Sequence, residues 1–368
     1  MSYSRRKKEK VIGILTGGGD CCGINAVIYS IVKAGSELGY KFIGIRNGFD
    51  GFLGSLDYIN LDREEVHWIS HLGGTILGTV NKGAFTAKVG LGEKRDIPKK
   101  LLMKVKKGLD KLNVYALIVI GGDGTLSIAM QLSELGVNIV GVPKTIDNDI
   151  NLTDRTFGFS TSVNVITDYI DNIHSTASSH NRVFFIETMG RHSGWLALYG
   201  GLSGGAKIIL LPEIPFQYEK IIEFLRYRKK TNHKSTIACV AEGAAPVKGK
   251  KKLVNKSASK ESKIGGMSKE IVKTINELAP NEFELRGLVV GHLQRGGRPY
   301  AMDRILSFRY GVRAIEAVKR REFNRVICIQ NDKIMTVKIK DAVKKVKKVP
   351  INNEMIKTAR SIGICFGD

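Results

Sequence analysis

Short apolar runs, glycine turns and amphipathic stretches alternate along most of the chain. Residues 11–16 form an apolar run, three glycines follow, and residues 24–36 carry apolar side chains at helical spacing. The same pattern continues in further runs and stretches, at 41–46, 101–112, 116–120, 126–135 and 139–142. Parallel strands need a helix-length crossover between them, so this alternation predicts a parallel sheet covered by helices on both faces.

A second series of the same kind follows residue 158. It predicts helices at 163–175, 192–203, 221–229 and 267–278, and strands at 183–188, 206–211, 236–242 and 288–293. Two sets of βα units predict an α/β fold with two doubly wound, Rossmann-like lobes and mainly parallel sheets. We place the first lobe at 1–157 plus about 294–330, and the second at 158–293 plus about 331–368. A basic stretch at about 243–266, rich in lysine, serine and glycine, predicts a flexible excursion.

The formal net charge is +23, from 58 basic and 35 acidic residues. This positive charge has two interpretations: a face that binds nucleic acid, or attraction of small phosphates. The basic residues are spread over several loops and element ends, and aromatic residues make up only 7%. We therefore expect small phosphates as partners and no nucleic acid.

The apolar runs fall far short of the ~18–20 residues that cross a bilayer. Residues 1–10 have neither the apolar segment nor the cleavage site of a signal peptide. The five cysteines lack C-x-x-C spacing and support neither a disulfide framework nor a zinc site. We expect a cytoplasmic protein without a membrane partner.

A predicted buried strand ends in the turn Gly121-Gly122-Asp123-Gly124-Thr125, and a helix follows at once. Such a turn exposes backbone N–H groups beside a helix N-terminus, which favours phosphate. A carboxylate there suits Mg²⁺. The alternative is a plain strand–helix turn with Asp123 as N-cap. The turn at 17–20 is a second phosphate-facing candidate, although it lacks the G-x-G-x-x-G order and the P-loop lysine.

The segment 143–149, Pro-Lys-Thr-Ile-Asp-Asn-Asp, follows the strand at 139–142 and supplies the candidate base. In an extended backbone Asp147 and Asp149 would lie on one side. One could accept a proton from an attacking hydroxyl while the other helps to hold a metal, as phosphoryl transfer requires. The alternative is a polar loop with Asx turns.

Arginines recur at strand ends in the segments 178–182, 189–195 and 291–297, the last two of which also carry glycines, and Arg286 is nearby. Because the arginine fork matches phosphate, these segments indicate a second anionic group. Surface salt bridges are the alternative for each arginine alone. With Glu242 at another strand end to accept sugar hydroxyls, the set is typical of a sugar-phosphate pocket. The seven histidines form no metal set, and His292 is interpreted as a substrate contact.

Together these segments resemble the 6-phosphofructokinase family. The matching segments, from residue 11 to roughly 330, are GGGD at 17–20, GGDGT at 121–125, PKTIDND at 143–149, SSHNR at 178–182, MGRHSGW at 189–195, AEG at 241–243 and GHLQRGG at 291–297. The resemblance implies Mg²⁺-dependent transfer of a phosphoryl group from ATP to the 1-hydroxyl of fructose 6-phosphate, a step of glycolysis. NAD and lipid kinases share only turns like GGDGT.

Site roles are carried over from this resemblance. The catalytic residues would be Asp147 as base, with Arg191, Thr145 and Asp149. The donor-binding residues would be Gly18, Asn81, Lys82, Gly122, Asp123, Gly124 and Thr125, with Asp123 as the Mg²⁺ ligand. The substrate-binding residues would be Thr145, Ile146, Asp147, Arg182, Met189, Gly190, Arg191, Glu242, Arg286, His292 and Arg295. Arg182, Arg286 and Arg295 would hold the 6-phosphate. Two of them come from a neighbouring subunit in the family, which implies a homodimer or homotetramer.

The phosphoryl donor depends on two positions. The resemblance implies that members of the family that use pyrophosphate carry GGDD or GGED in place of GGDGT. Their added carboxylate fills the space that the α-phosphate of ATP needs. Gly124 has no side chain and leaves that space open. At the position of Lys144, however, the chain is similar to the pyrophosphate-using members, which also carry lysine there. We expect ATP, with pyrophosphate as the alternative and a non-catalytic regulatory paralogue as a rival class. In short bacterial members that the chain resembles, arginines on the first helix look like effector contacts. Here those positions are Tyr29 and Lys33, so control by ADP or phosphoenolpyruvate is not expected.

Overall fold

A computed structural model describes residues 9–80, 83–85, 96–247, 253–256, 262–264 and 266–368. The strands are β1 Val11–Gly17, β2 Lys41–Ile45, β3 Tyr58–Leu61, β4 Val114–Gly121, β5 Ile139–Pro143, β6 Val183–Thr188, β7 Ile208–Leu210, β8 Thr236–Ala241, β9 Leu253–Lys256, β10 Ser262–Ile264, β11 Leu285–Val289, β12 Arg325–Gln330 and β13 Lys333–Lys338. The helices are α1 Ile24–Ser36, α2 Lys99–Lys111, α3 Asp123–Glu134, α4 Phe159–Ser179, α5 Trp195–Ser203, α6 Tyr218–Lys230, α7 Met267–Leu278, α8 Ala301–Lys319, α9 Ile339–Ala342 and α10 Glu354–Ser361. Over these described ranges, none of the helices combines the length and the apolar character that a membrane span requires.

The chain divides into two units. The first unit comprises Met1–Thr145, Ile150–Gly158 and Arg295–Lys345, and the second comprises Ile146–Asp149, Phe159–Gln294 and Val346–Asp368. The chain therefore passes from the first unit to the second for the last time after residue 345, and not near residue 330. The reason is that β13 pairs with β12 in the sheet of the first unit. The short piece 146–149, which carries the candidate base, belongs to the second unit.

The first unit is built on a seven-stranded sheet with the order β13-β12-β5-β4-β1-β2-β3. The five inner strands are parallel, and β3 and β13 are antiparallel edges. The mainly parallel α/β prediction is thus confirmed, while both edge strands were missed. Leu102, Val105 and Leu109 of α2 recur at helical spacing and enter the core, so its lysines remain on the opposite face.

The second unit has a four-stranded parallel sheet with the order β11-β6-β8-β7. The predicted strand at 288–293 is wrong: β11 ends at Val289, and Gly291–Arg295 is a 3₁₀ turn. Gly291 has a left-handed φ of 57°, which ends the extended backbone there. Leu293 is 62% exposed and so contributes little to the core. The excursion partly lies outside the described residues; β9 and β10 within it pair as an antiparallel hairpin.

Glu187 of β6 ties the end of the excursion to the sheet of the second unit. Its carboxylate accepts hydrogen bonds from the backbone N–H groups of Gly266 and Ser268 at 2.9 and 3.0 Å, and from the Ser268 hydroxyl at 3.1 Å. A buried carboxylate therefore satisfies N–H groups in the first turn of α7. Because this cap comes from a distant strand, the sequence alone does not reveal it.

Candidate active site

Three candidate loops begin side by side at the carboxyl edge of the sheet in the first unit. Gly17 of β1 lies opposite Gly121 of β4, and Gly121 lies opposite Pro143 of β5. The N–H of Lys144 continues the pairing by donating to Gly121 O at 2.9 Å. Strand order reverses between β1 and β4, and ligands of open α/β sheets bind at this kind of switch point. The register thus aligns the GGGD and GGDGT turns, which are over 100 residues apart in sequence.

Glycine is required in both turns because Thr125 packs between them. A Cβ at Gly17 would lie 2.6 Å from the Thr125 side chain, and one at Gly121 would lie 2.4 Å from it. Gly18 has a left-handed φ of 76°, which a side chain would disfavour. The turns therefore keep their backbones free of side chains while the buried Thr125 spaces them apart.

Lys144 lies against the first glycine turn. Its ammonium donates to Gly19 O, and a Cβ at Gly18 would lie 3.4 Å from Nζ. The side chain is 4% exposed. The ammonium of this buried lysine thus lies beside the predicted phosphate-facing turn, where a cation would favour an anionic ligand.

Asp123 is the first residue of α3, and the N-cap position is Gly122, without a side-chain cap bond. The alternative interpretation of Asp123 as the N-cap is therefore wrong. Within the described ranges no three His, Cys, Asp or Glu side chains form a metal cluster. One carboxylate at a predicted phosphate-binding turn nevertheless fits Mg²⁺, which is often held by one or two carboxylates, substrate phosphates and water.

The segment before Asn81 is fixed to the same turns. The Thr79 hydroxyl donates to Gly18 O at 2.5 Å, and the Thr16 hydroxyl donates to Gly78 O at 2.8 Å. Asn81 and Lys82 themselves, predicted to bind the donor, lie outside the described residues.

The second unit gathers another group of predicted residues at the carboxyl edge of its own sheet. Glu242 follows β8, and its N–H donates to Thr188 O at 2.9 Å, next to Met189. The N–H of Gly243 donates to Gly190 O at 3.3 Å. A Cβ at Gly243 would lie 2.2 Å from Arg191 O, so Glu242 is held close to the 189–191 segment.

Gln294, which the sequence analysis did not single out, fixes the turn that carries His292. Its side chain accepts from the N–H of Met189 at 3.1 Å and donates to Gly291 O at 2.9 Å. The side chain is fully buried. A fully buried glutamine at the centre of GHLQRGG therefore connects the loop after β11 with the loop after β6.

The candidate base, Asp147, lies in the 146–149 piece of the second unit, and its carbonyl accepts from the Ser193 hydroxyl at 3.3 Å. The prediction of an extended Asp147–Asp149 segment is wrong, because Asn148 between them has a left-handed φ of 52°. Asparagine tolerates this conformation better than other side-chain-bearing residues do. Lys144 and Thr145 remain in the first unit, so the 143–149 segment begins in one unit and ends in the other.

The three arginines predicted to hold the 6-phosphate occupy different places. Arg182 and Arg286 lie at the amino edge of the second unit's sheet, opposite the edge of Glu242, and both donate to Glu284, at 2.6 and 2.7 Å. The hydrogen bond from Arg182 lowers the pKa of Glu284, which therefore stays ionised. Arg295 belongs to the first unit and donates to Asp20 O at 3.0 Å.

Four of the five cysteines are buried, which should make their thiols poorly reactive. Cys21 is fully buried, and burial raises the pKa of Cys22 and Cys239 to about 12 and that of Cys328 to about 11. At pH 8 only about one in 10³ to 10⁴ of these thiols is a thiolate, which is the reactive form. We expect iodoacetamide to modify these four residues slowly in the native protein and all five cysteines rapidly in urea, as mass spectrometry would measure. Fast native alkylation of Cys21 or Cys22 would contradict the packing.

The fold is α/β, and glycine turns, a buried lysine and a helix N-terminus at the switch point of its sheet are features that favour phosphate binding. Comparison with known sequences defines it further. The model of the family described as Phosphofructokinase matches residues 11–318. The chain belongs to the phosphofructokinase family.

Individual relatives carry two kinds of name. An ATP-dependent 6-phosphofructokinase of Chloroflexus aurantiacus is 43% identical over 361 residues, which cover 98% of this chain and 99% of the relative. A pyrophosphate–fructose 6-phosphate 1-phosphotransferase of Amycolatopsis mediterranei is 40% identical, over 92% of this chain and 96% of the relative. The solved pyrophosphate-dependent phosphofructokinase of Marinobacter aquaeolei shares the fold, with a TM-score of 0.79 at 21% identity over 97% of this chain and 92% of that one.

Proposed function

We propose that this chain is an ATP-dependent 6-phosphofructokinase, which transfers the terminal phosphoryl group of ATP to the 1-hydroxyl of fructose 6-phosphate and releases ADP and fructose 1,6-bisphosphate. One observation carries the proposal: Gly17, Gly121 and Pro143 lie in register, with Lys144 against the first turn. This arrangement brings two phosphate-facing turns to the start of the segment that holds the candidate base.

The first unit would bind the donor. Backbone N–H groups of Gly18 and of residues 122–125 would contact its phosphates, Lys144 would offset their negative charge, and Asn81 and Lys82 would complete the set. Asp123 would hold Mg²⁺, which, when bound, neutralises charge on the phosphate oxygens.

The second unit would bind the sugar and supply the base. As O1 attacks phosphorus, the Asp147 carboxylate accepts the proton of the 1-hydroxyl while the bond between the transferred group and ADP breaks. Arg191 offsets charge on the transferring group, and Thr145, Ile146 and Asp149 complete the catalytic segment. Met189, Gly190, Glu242 and His292 would contact the sugar, supported by the hydrogen bonds that join their loops.

The 6-phosphate would be held by Arg182, Arg286 and Arg295. Arg182 and Arg286 lie at the sheet edge remote from Glu242. This position supports the proposal that they bind the 6-phosphate in the site of a neighbouring copy, and hence that the protein is a homo-oligomer. The free thiols suit a reducing cytoplasm, which we propose as the location.

Pyrophosphate is the second candidate donor, favoured by the buried Lys144. ATP is preferred because a lysine excludes nothing, whereas a carboxylate at position 124, absent here, would repel a phosphate. A non-catalytic paralogue is disfavoured because Asp123, Asp147 and Asp149 are all present.

A coupled assay of fructose 1,6-bisphosphate formation tests class and donor together. Fructose 6-phosphate and Mg²⁺ are supplied with ATP in one arm and with pyrophosphate in the other. We expect turnover with ATP and a much lower kcat/KM with pyrophosphate. Preference for pyrophosphate would overturn the donor assignment, and inactivity with both donors would overturn the enzyme assignment.

A further inference from the structure

Trp195 ends the MGRHSGW motif, and no step of the proposed reaction uses it. It is one of two tryptophans in the chain. Its side chain is buried at 8% exposure, and the indole N–H donates to Lys347 O at 3.0 Å. The ammonium of Lys347 lies 5.2 Å from the centre of the indole ring. Trp195 thus contacts a chain segment 152 residues away.

That segment, residues 346–349, also contacts the loop of the candidate base. The N–H of Lys347 donates to Asp149 O at 2.8 Å. A single residue therefore carries both bonds: its carbonyl accepts from Trp195 and its N–H donates to Asp149. Both bonds lie within the second unit.

Glu213 holds the same segment from its other end. One carboxylate oxygen accepts from the N–H of Val349 at 2.9 Å and from that of Gly194 at 3.0 Å. Gly194 directly precedes Trp195, so the carboxylate fixes the start of α5 and the 346–349 segment against each other. Ser193, one residue further back, donates to Asp147 O. The network therefore contacts the base loop at two carbonyls, those of Asp147 and Asp149.

We infer that Trp195 is a positioning residue: through residues 346–349 it fixes the backbone of the Asp147–Asp149 loop. The inference rests on the proposed function, since it assigns Trp195 a role in orienting the proposed base. A base must meet its proton within hydrogen-bond distance, and a misplacement of about 1 Å can cost on the order of 10² in rate. Ser193 acts on the same loop by a direct bond.

The test compares Trp195→Phe with two matched controls. Phenylalanine keeps an aromatic ring but cannot donate to Lys347 O. Trp68→Phe makes the same change at the other tryptophan, which is 72% exposed, and Lys347→Ala removes the ammonium over the ring but keeps both backbone bonds. We expect Trp195→Phe to lower kcat by about 10- to 100-fold with KM for fructose 6-phosphate near the wild-type value. Both controls should keep wild-type kcat.

Two further measurements distinguish the positioning role of Trp195 from a purely structural role. Urea unfolding gives the stability of each variant, and kinetics are taken where all are folded. Ser193→Ala should also lower kcat, and the double variant should lose less than the product of the single losses, because both changes release one loop. If folded Trp195→Phe retains wild-type kcat, or if the two losses multiply, the positioning role is refuted. An inactive wild-type protein would instead refute the proposed function.

Discussion

Replacement of Asp147 by asparagine is expected to lower kcat with ATP by about 10²- to 10⁴-fold, the usual contribution of a general base. The amide has nearly the same shape as the carboxylate but cannot accept the proton that the 1-hydroxyl must lose. Binding of fructose 6-phosphate should change little, because this interaction is needed mainly in the transition state. Steady-state kinetics with a calorimetric titration of fructose 6-phosphate would measure both quantities.

Asp171→Asn is the matched control for this variant. Asp171 lies in the same unit, on α4, and is exposed, so the same loss of charge should leave kcat unchanged. If Asp147→Asn turns over at a near-normal rate, or if its loss appears only in KM, Asp147 is not the base.

Aspartate at position 124 is expected to lower kcat/KM for ATP by about 10²- to 10³-fold, because a like charge against a phosphate costs several kcal/mol. Gly124 is the second residue of α3 and directly follows the proposed metal ligand. A side chain there would enter the space that the resemblance assigns to the α-phosphate. Pyrophosphate has no such group, so activity with pyrophosphate should fall far less.

Gly124→Ala separates charge from volume. It adds one methyl group without a charge and should cost ATP turnover much less than aspartate does. Equal losses with ATP and pyrophosphate in Gly124→Asp would show general damage to the turn and would contradict the role of Gly124 in donor choice.

Local sequence patterns predicted the parts of the fold that local physics determines. The β4 strand, the GGDGT turn and α3 follow from an apolar run, glycines and helical spacing. The edge strands β3 and β13 were missed because they carry several exposed or half-buried positions and so lack a continuous apolar run. At 288–293 apolar residues suggested a strand, but the positive φ at Gly291 ends it.

The candidate site could be predicted as a set of motifs but not as an arrangement. The register of Gly17 with Gly121 depends on strand pairing across more than 100 residues, which no single motif contains. The separation of Arg182 and Arg286 from Glu242 follows from strand direction, which places residues before and after a strand at opposite edges. Bonds to backbone carbonyls, such as that from Trp195 to Lys347, leave no trace in residue type at the acceptor.

The threonine wedged between the two glycine turns has a consequence for how such a protein can diversify. Gly17 and Gly121 meet one shared side chain, so enlarging either would force Thr125 to move and would disturb the other. These three residues form one packing unit, in which the size of each limits the size of the others. We therefore expect changes of nucleotide preference to arise at neighbouring positions, where new side chains leave this packing unit undisturbed.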